Sequence, residues 1–221
     1  MKIDDRSRKK IVFWSGGLDS TTVLLQLLNQ SSTQHPVHTI SLTQHPQIHG
    51  IQLKAEAAAR ARFAKWAESR YPGCLYQTTI EVTSPQMCLE ANRQATIWLG
   101  TLLPYIGGGN EGIALYLGYC RGDDFWHSRS HYERAAREIA TISETSIKLF
   151  YPLEWSDKSD IVSALNQAKV PANCYWTCEN PVPSSGTKFK PCGRCLKCKS
   201  LDGALTEVQN QKTMLSYKKS R

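Results

Sequence analysis

Residues 12–28, VFWSGGLDSTTVLLQLL, join a short apolar run to a helical apolar pattern through two glycines and an acid flanked by hydroxyl side chains. We predict a strand over 10–14, a turn, and a helix that buries Val23, Leu24, Leu27 and Leu28. Gly16 and Gly17 allow the backbone to approach a ligand closely, and the N–H groups of the turn and of the helix N-terminus suit a phosphate. The junction is therefore a candidate phosphate site.

Asp19 distinguishes this junction from an ordinary phosphate loop. No lysine follows the glycines, so the pattern G-x-x-x-x-G-K-[ST] is absent. A carboxylate is favourable at a helix N-terminus but repels a phosphate bound there, and a magnesium ion between the two removes the conflict. In the structural alternative, Ser15 and Asp19 only cap the helix around a glycine turn.

The rest of the chain alternates between strand and helix patterns. Further strands are predicted at 37–42, 75–82, 113–119 and 147–152. Helices are predicted at 17–29, 51–70, 86–103, 128–143 and 157–169, with Ser156 as the cap of the last one. This alternation is typical of a doubly wound α/β fold with a mainly parallel five-stranded sheet, which binds ligands at the carboxyl ends of its strands.

Composition and charge narrow the class of protein. The 221 residues are 41% hydrophobic and 21% charged, enough to bury a core. No apolar run approaches the ~20 residues of a membrane span, and the N-terminus lacks a secretory pattern, so we expect a cytoplasmic protein without a membrane partner. The net charge of +8 favours phosphate ligands or nucleic acid, although solvated terminal tails explain it equally well.

A cysteine-rich segment near the C-terminus is the second strong signal. Cys192, Cys195 and Cys198 form a Cys-x-x-Cys-x-x-Cys run, and either Cys174 or Cys178 is in reach as a fourth ligand. Four thiolates fit tetrahedral zinc in a closed, structural site, and an iron–sulfur cluster is the minor alternative. The other cysteines lie in or beside apolar segments, and we expect them in the core: Cys74, Cys88 and Cys120.

Two motifs together carry a family resemblance. SGGLDS at 15–20 resembles the SGGxDS loop of the PP-loop ATP pyrophosphatases. With the cysteine run, and with Trp176 and Thr177 before Cys178, it is similar to the 7-cyano-7-deazaguanine synthase (QueC) family. HPQIH at 45–49 retains the Gln and His of a family motif, and YPLEWSDKSDIV at 151–162 resembles its Pro-Leu and following Lys segment.

The resemblance implies an adenine nucleotide alpha hydrolase-like domain over 1–170 and a zinc-binding segment with a C-terminal helix or tail over 171–221. The implied enzyme is an ATP-dependent carbon–nitrogen ligase. It would convert 7-carboxy-7-deazaguanine and ammonia to the nitrile through an adenylated carboxylate and then an adenylated amide, releasing AMP and pyrophosphate. We expect a homo-oligomer.

The resemblance also implies site residues. The loop would bind pyrophosphate and magnesium through Ser15, Gly16, Gly17, Leu18, Asp19 and Ser20. Lys158 would lie near the ATP phosphates, His49 would be a phosphate ligand or proton carrier, and Asp123 or Asp124 would help Asp19 hold the metal. The resemblance favours Cys178 as the fourth zinc ligand, with Cys192, Cys195 and Cys198.

The chain departs from the family where the acceptor is expected. DFWHSRSHY at 124–132 replaces a Tyr-Pro-Asp-Cys-Arg stretch, and Arg93-Gln94 replaces Arg-Asn. Phe125 and Trp126 either stack on a purine-like ring or cover a core edge. GGGNEG at 107–112 precedes a strand and is interpreted as a helix-to-strand turn.

Two alternative functions stay open at the level of sequence. In the first, the same adenylation acts on another acceptor, ending at an amide or modifying tRNA or a protein. The second is a nucleic-acid-binding zinc module on an inactive nucleotide-binding domain, suggested by Arg194, Lys197 and Lys199 around the cysteines.

Overall fold

The computed structural model describes residues 8–44, 46–82, 98–102, 112–184 and 189–219. Five parallel strands form its sheet in the order β3-β2-β1-β4-β5. The strands are β1 (Lys9–Phe13), β2 (Val37–Gln44), β3 (Leu75–Val82), β4 (Ile113–Tyr116) and β5 (Ile147–Phe150). The predicted parallel sheet is confirmed, and β4 and β5 end two or three residues earlier than predicted.

Within the described ranges, five helices of ten or more residues accompany the sheet. They are α1 (Leu18–Leu28), α2 (Pro46–Glu68), α3 (Arg129–Ile142), α4 (Lys158–Gln167) and α5 (Leu196–Lys219). Asp124–Ser128 and Ala172–Cys174 are short 3-10 helices, and Val182–Pro183 pairs with Phe189–Lys190 in a small antiparallel sheet. Of the helix predicted at 86–103, only 98–102 are described, and 98–100 are helical. The predicted turn at 107–112 lies outside the described residues except for Gly112.

The predicted cap of α4 is wrong by one residue. Asp157, not Ser156, is the N-cap: its side chain accepts the N–H of Asp160, and the Asp160 side chain accepts the N–H of Asp157. This reciprocal pair satisfies two N–H groups that the helix leaves unbonded, whereas a single hydroxyl cap satisfies one. The next residue, Lys158, is therefore held in the first turn of α4.

The two faces of β1 bury side chains in two core layers, as the period of two along a strand requires. Val12 and Trp14 pack with α1, α4 and α5, and the contribution of α5 includes Ala204 and Val208. Ile11 and Phe13 pack on the opposite side, with α3 and residues 99 and 102. Helices thus cover both faces of the sheet. The division of the chain at residue 170 stays a prediction.

The order of the strands reverses between β1 and β4. From β1 the chain continues outward to β2 and β3, whereas β4 and β5 lie on the other side of β1. In an open parallel sheet, the loops that follow the two strands at such a point separate and leave a crevice for ligands. Here these are residues 14–17 and 117–123. Among the described helices, none is both long and apolar enough to cross a membrane.

Candidate functional site

The glycine loop, residues 15–17, connects β1 to α1. Gly16 has a φ of +91°, and a Cβ there would lie 2.8 Å from Arg60 Cγ and 2.9 Å from the Glu56 carbonyl oxygen, so glycine is required on both counts. Gly17 is the N-cap of α1 and no side chain caps that helix. The alternative that Ser15 and Asp19 merely cap α1 is therefore wrong. Instead, Ser15 Oγ accepts the N–H of Gly17 inside the loop.

Two other parts of the chain hold the backbone of the glycine loop. Arg60 Nη1, from α2, donates to the carbonyl oxygen of Ser15 at 2.5 Å. The backbone N–H of Trp176 donates to the carbonyl oxygen of Gly16 at 2.9 Å. Ser15 Oγ also lies 3.1 Å from Ser20 Oγ in the first turn of α1. The loop is thus fixed between α2 and the cysteine-rich segment.

Asp19 and Lys158 form a short ion pair beside the loop. Lys158 Nζ lies 2.7 Å from Asp19 Oδ1 and 2.6 Å from Oδ2, and the two side chains are 22% and 24% exposed. Burial raises the pKa of Asp19, and the Lys158 ammonium opposes that rise. Burial by itself would lower the pKa of Lys158, but the Asp19 carboxylate, together with Cys120 and Asp123, raises that pKa overall. The pair brings together two residues that are 139 positions apart.

Asp123 lies close to Asp19, on the loop after β4. One ligand atom from each of Asp19, Cys120 and Asp123 lies within 4.8 Å of the others, and Asp123 Oδ2 accepts the N–H of Cys120 at 2.7 Å. Burial and the nearby Asp19 carboxylate raise the pKa of Cys120 to about 11, so it is a neutral thiol at neutral pH. Oxygen ligands suit magnesium and a neutral thiol does not. The two carboxylates are therefore the candidate magnesium ligands.

A cleft of about 190 Å³ opens at the glycine loop. Its walls come from the loop and α1, from α2, from Lys158, and from the cysteine-rich segment with α5. The lining residues are Ser15, Gly17, Leu18, Asp19, Gln52, Glu56, Lys158, Trp176, Thr177, Glu179, Lys197, Ser200 and Leu201. The C-terminal segment is thus a wall of the cleft that contains the candidate phosphate site.

Four thiols meet at the edge of this cleft in the four-cysteine cluster: Cys178, Cys192, Cys195 and Cys198. Their sulfur atoms lie within 4.8 Å of one another, and Cys192 Sγ is 4.0 Å from Cys198 Sγ. Zinc–sulfur bonds of about 2.3 Å in a tetrahedron place sulfur atoms about 3.8 Å apart, so the donor set fits a tetrahedral ion.

Backbone N–H groups also donate to the sulfur atoms of this cluster. The N–H groups of Cys192, Cys195 and Cys198 point to the sulfurs of Cys178, Cys192 and Cys195 at 3.2, 3.3 and 3.4 Å. Such donors favour the thiolate, and those from Arg194 and Cys195 lower the pKa of Cys192. Cys174 is buried in the core instead, in a short 3-10 helix. Geometry therefore groups Cys178, and not Cys174, with the other three.

The remaining predicted site residues lie elsewhere. His49 falls in the first turn of α2, which begins at Pro46 and not at the predicted residue 51; its side chain lies outside the described part. Asp124 begins a 3-10 helix and is not in the Asp19–Asp123 group. Phe125 stacks on Tyr119 with ring centroids 3.7 Å apart, so it covers a core edge.

Trp126 also makes a contact within the protein, since its indole Nε1 donates to the carbonyl oxygen of Cys120 at 2.7 Å. Cys74 and Cys120 are buried in the core, as expected. Cys88, Arg93 and Gln94 lie outside the described residues.

Sequence reasoning missed several residues that build the cleft. Gln52, Glu56 and Arg60 follow one another at four-residue spacing on α2, which places them on one face of the helix. This stripe of polar residues in an alanine-rich helix could have identified them in the sequence as candidate site residues. Lys197 was considered only as part of a basic patch, and Trp176 only as part of a motif.

Comparisons with known proteins find sequences similar to part of this chain. Residues 110–209 match the family model described as "Queuosine biosynthesis protein QueC". Two curated 7-cyano-7-deazaguanine synthases of Prochlorococcus marinus, from strains NATL1A and NATL2A, are 28% and 27% identical over 132 residues. These alignments cover 57% of this chain and 56% of each relative, so the chain matches about half the length of these relatives.

A solved structure supports the fold. The U34-tRNA thiolase NcsA from Methanococcus maripaludis, with its 4Fe–4S cluster, is 14% identical and has a TM-score of 0.51 over 96% of this chain and 74% of its own. The five-stranded parallel sheet and the C-terminal cysteine cluster define an α/β protein with a segment that could hold a metal ion. The family model and the two sequence matches are more particular: over part of its length, the chain is similar to QueC proteins.

Proposed function

We propose that the protein is an ATP-dependent enzyme that converts 7-carboxy-7-deazaguanine and ammonia to 7-cyano-7-deazaguanine, with release of AMP and pyrophosphate. One observation carries the proposal: the glycine loop and the Asp19–Lys158 pair line one cleft at the point where the strand order reverses, and Asp123 lies close to Asp19. The QueC match and the two named relatives supply the substrate class.

The loop would hold the pyrophosphate part of ATP. Gly16 leaves room for close approach, and the amino end of α1 favours negative charge. Asp19 and Asp123 would hold magnesium, which offsets the charge of the phosphates. Lys158 would stay next to Asp19 and add positive charge where pyrophosphate leaves. Ser15, Leu18 and Ser20 complete the loop, and His49 keeps its proposed role as phosphate ligand or proton carrier.

The chemistry proceeds in two activations at one site. A carboxylate oxygen attacks the α-phosphorus and the bond to pyrophosphate breaks, giving an acyl adenylate. Ammonia then attacks the carbonyl carbon, loses a proton, and AMP leaves with the carboxylate oxygen. The amide oxygen attacks a second ATP in the same way. Loss of the nitrogen protons and of AMP leaves the nitrile. The protein contributes position and charge neutralisation.

The four-cysteine cluster is proposed to hold zinc. All four donors are sulfur and their separations suit a tetrahedron, so no position stays open for water. This site would be structural, and its place beside the cleft gives it a part in shaping that cleft. The cytoplasmic location and the homo-oligomer remain predictions.

A second candidate function is favoured by one observation. Phe125 and Trp126, which take the place of a family substrate loop, are committed to Tyr119 and Cys120. These contacts favour an acceptor site that differs from that of the family. The same adenylation would then end at the amide or use another acceptor, such as a tRNA or a protein.

One experiment separates these functions. The zinc-loaded protein is incubated with magnesium ATP, ammonium and 7-carboxy-7-deazaguanine, and AMP, pyrophosphate and the deazapurine mass are followed. Asp19→Asn, which keeps the shape but removes the charge, is the matched control. Nitrile that depends on Asp19 supports the proposal, and an amide endpoint supports the second candidate. Salt-sensitive nucleic-acid binding without ATP cleavage would overturn both and support a zinc module on an inactive domain.

A further inference from the structure

We propose that the four-cysteine cluster positions the phosphate-binding side of the cleft, through Trp176 as a positioning residue and Lys197 as a direct phosphate ligand. The inference rests on the proposed function for the identity of the ligand, a nucleoside triphosphate. It assigns the metal centre a part in substrate binding beyond stabilising the C-terminal segment.

The first connection runs through Trp176, two residues before Cys178. Its backbone N–H donates to the Gly16 carbonyl oxygen at 2.9 Å, and its indole Nε1 donates to the Cys178 carbonyl oxygen at 2.7 Å. Cys178 is fully buried, and its sulfur accepts the N–H of Cys192 at 3.2 Å. A chain of three hydrogen bonds therefore joins the glycine loop to the cluster. Because Gly16 has a left-handed backbone conformation, an anchor on its carbonyl oxygen helps to fix the loop.

The second connection runs through Lys197, which lies between two cysteines of the cluster. Cys195 precedes it, and the N–H of Cys198 donates to Cys195 Sγ at 3.4 Å, which fixes the first turn of α5. Lys197 lines the same cleft as Ser15 and Gly17 of the glycine loop. Because Lys197 lies between Cys195 and Cys198 in the sequence, the cluster holds it near the amino end of α5.

The charged residues that line the cleft explain why we expect Lys197 to bind a phosphate. Lys158 already donates to both oxygens of Asp19, and Glu56 and Glu179 add negative charge to the lining. Within the described ranges, the Lys197 ammonium makes no hydrogen bond or ion pair with the protein, so it is available to a phosphate oxygen. A polyphosphate in the cleft would then be contacted by both the glycine loop and Lys197.

The proposed role of Lys197 is tested by measuring ligand binding. Dissociation constants of the metal-loaded protein for magnesium ATP and for adenosine are measured by calorimetry, for wild type, Lys197→Ala and the matched control Lys199→Ala. We expect Lys197→Ala to weaken ATP binding by roughly tenfold and leave adenosine binding unchanged. Lys197→Arg should restore most of the loss, and Lys199→Ala should stay within about twofold of wild type. Equal ATP affinity in Lys197→Ala and wild type would overturn the inference.

The proposed role of Trp176 is tested by measurements that do not require ATP. Trp176→Phe keeps an aromatic ring but removes the indole donor to Cys178. We expect unchanged zinc content by mass spectrometry and faster amide exchange in the peptide that covers residues 15–20. Unchanged exchange there would refute the coupling. Wild-type protein that binds no ATP would refute the proposed function instead, and the exchange result would still decide the coupling.

Discussion

Gly118 sits where the loop after β4 touches the first turn of α1, and we predict that Gly118→Ala damages both stability and catalysis. A Cβ at Gly118 would lie 2.8 Å from both Cα and N of Ser20, and 3.1 Å from the carbonyl carbon of Asp19. These are backbone atoms and cannot rotate away. Carbon atoms normally pack at about 3.5–4.0 Å, so the two segments must separate by roughly 0.7 Å or more.

The separation acts on the candidate site directly. It moves Asp19 relative to Asp123, whose ligand atoms now lie within 4.8 Å, and strains the 2.6 Å contact of Asp19 with Lys158. Overpacking of this kind costs about 1–3 kcal/mol of unfolding free energy. A displacement approaching 1 Å in a catalytic group costs up to about a hundredfold in rate, so we expect kcat/KM for ATP to fall roughly 10- to 100-fold.

Urea unfolding and AMP formation measure the two effects. The matched control is Gly203→Ala in α5, where an added Cβ meets nothing within 4 Å. Alanine is the better helix former, so Gly203→Ala should raise the unfolding free energy by up to about 1 kcal/mol and leave AMP formation unchanged. A Gly118→Ala protein with wild-type stability and rate would refute the reasoning about this contact.

Three further predictions concern the ion pair, the cap and the cluster. Lys158→Met leaves the buried Asp19 carboxylate without its partner, so urea unfolding at neutral pH should show a loss of about 1–3 kcal/mol that shrinks in acid as Asp19 takes up a proton. Asp157→Ala removes the cap of α4 and should cost about 1 kcal/mol at neutral pH. Hydrogen bonds from Asp160 and Ser159 hold the pKa of Asp157 below 3.8 in the folded protein. The stabilisation by this cap is therefore present above pH 3.8 and is lost as the pH falls through the folded-state pKa. A difference in unfolding free energy between wild type and Asp157→Ala that persists in strong acid would contradict this prediction. Cys178→Ser should lose bound zinc and Cys174→Ala should keep it, as measured by metal analysis, and equal retention would count against the four-cysteine cluster.

The fold could be predicted from the sequence because its signals are local. The apolar run of β1 and the three-and-four spacing in α1 each depend on neighbouring residues, and both elements lie within one residue of their predicted bounds. Strand β4 ends at Tyr116, before the predicted 119, although Leu117 is also buried. An apolar stretch of sequence predicts which residues are buried, but it does not predict which of them pair with a neighbouring strand.

The site was only partly predictable because its contacts join distant residues. Asp19 and Lys158 were each found through a motif, but nothing local shows that they pair across 139 positions. Arg60 reaches the loop from 45 residues away, and Trp176 reaches it through its backbone N–H, which any residue but proline has. The substitution of the family loop at 124–132 was visible, whereas the packing of Phe125 on Tyr119 required the structure.

The central claim, that the cleft activates a carboxylate oxygen by adenylation, is tested most directly by an oxygen isotope. The zinc-loaded protein is given magnesium ATP, ammonium and 7-carboxy-7-deazaguanine labelled with ¹⁸O in its carboxylate, and the AMP released is analysed by mass spectrometry. The account predicts AMP that carries one ¹⁸O, because the carboxylate oxygen leaves on the α-phosphorus. Unlabelled AMP, or ADP with phosphate in place of AMP, would contradict it.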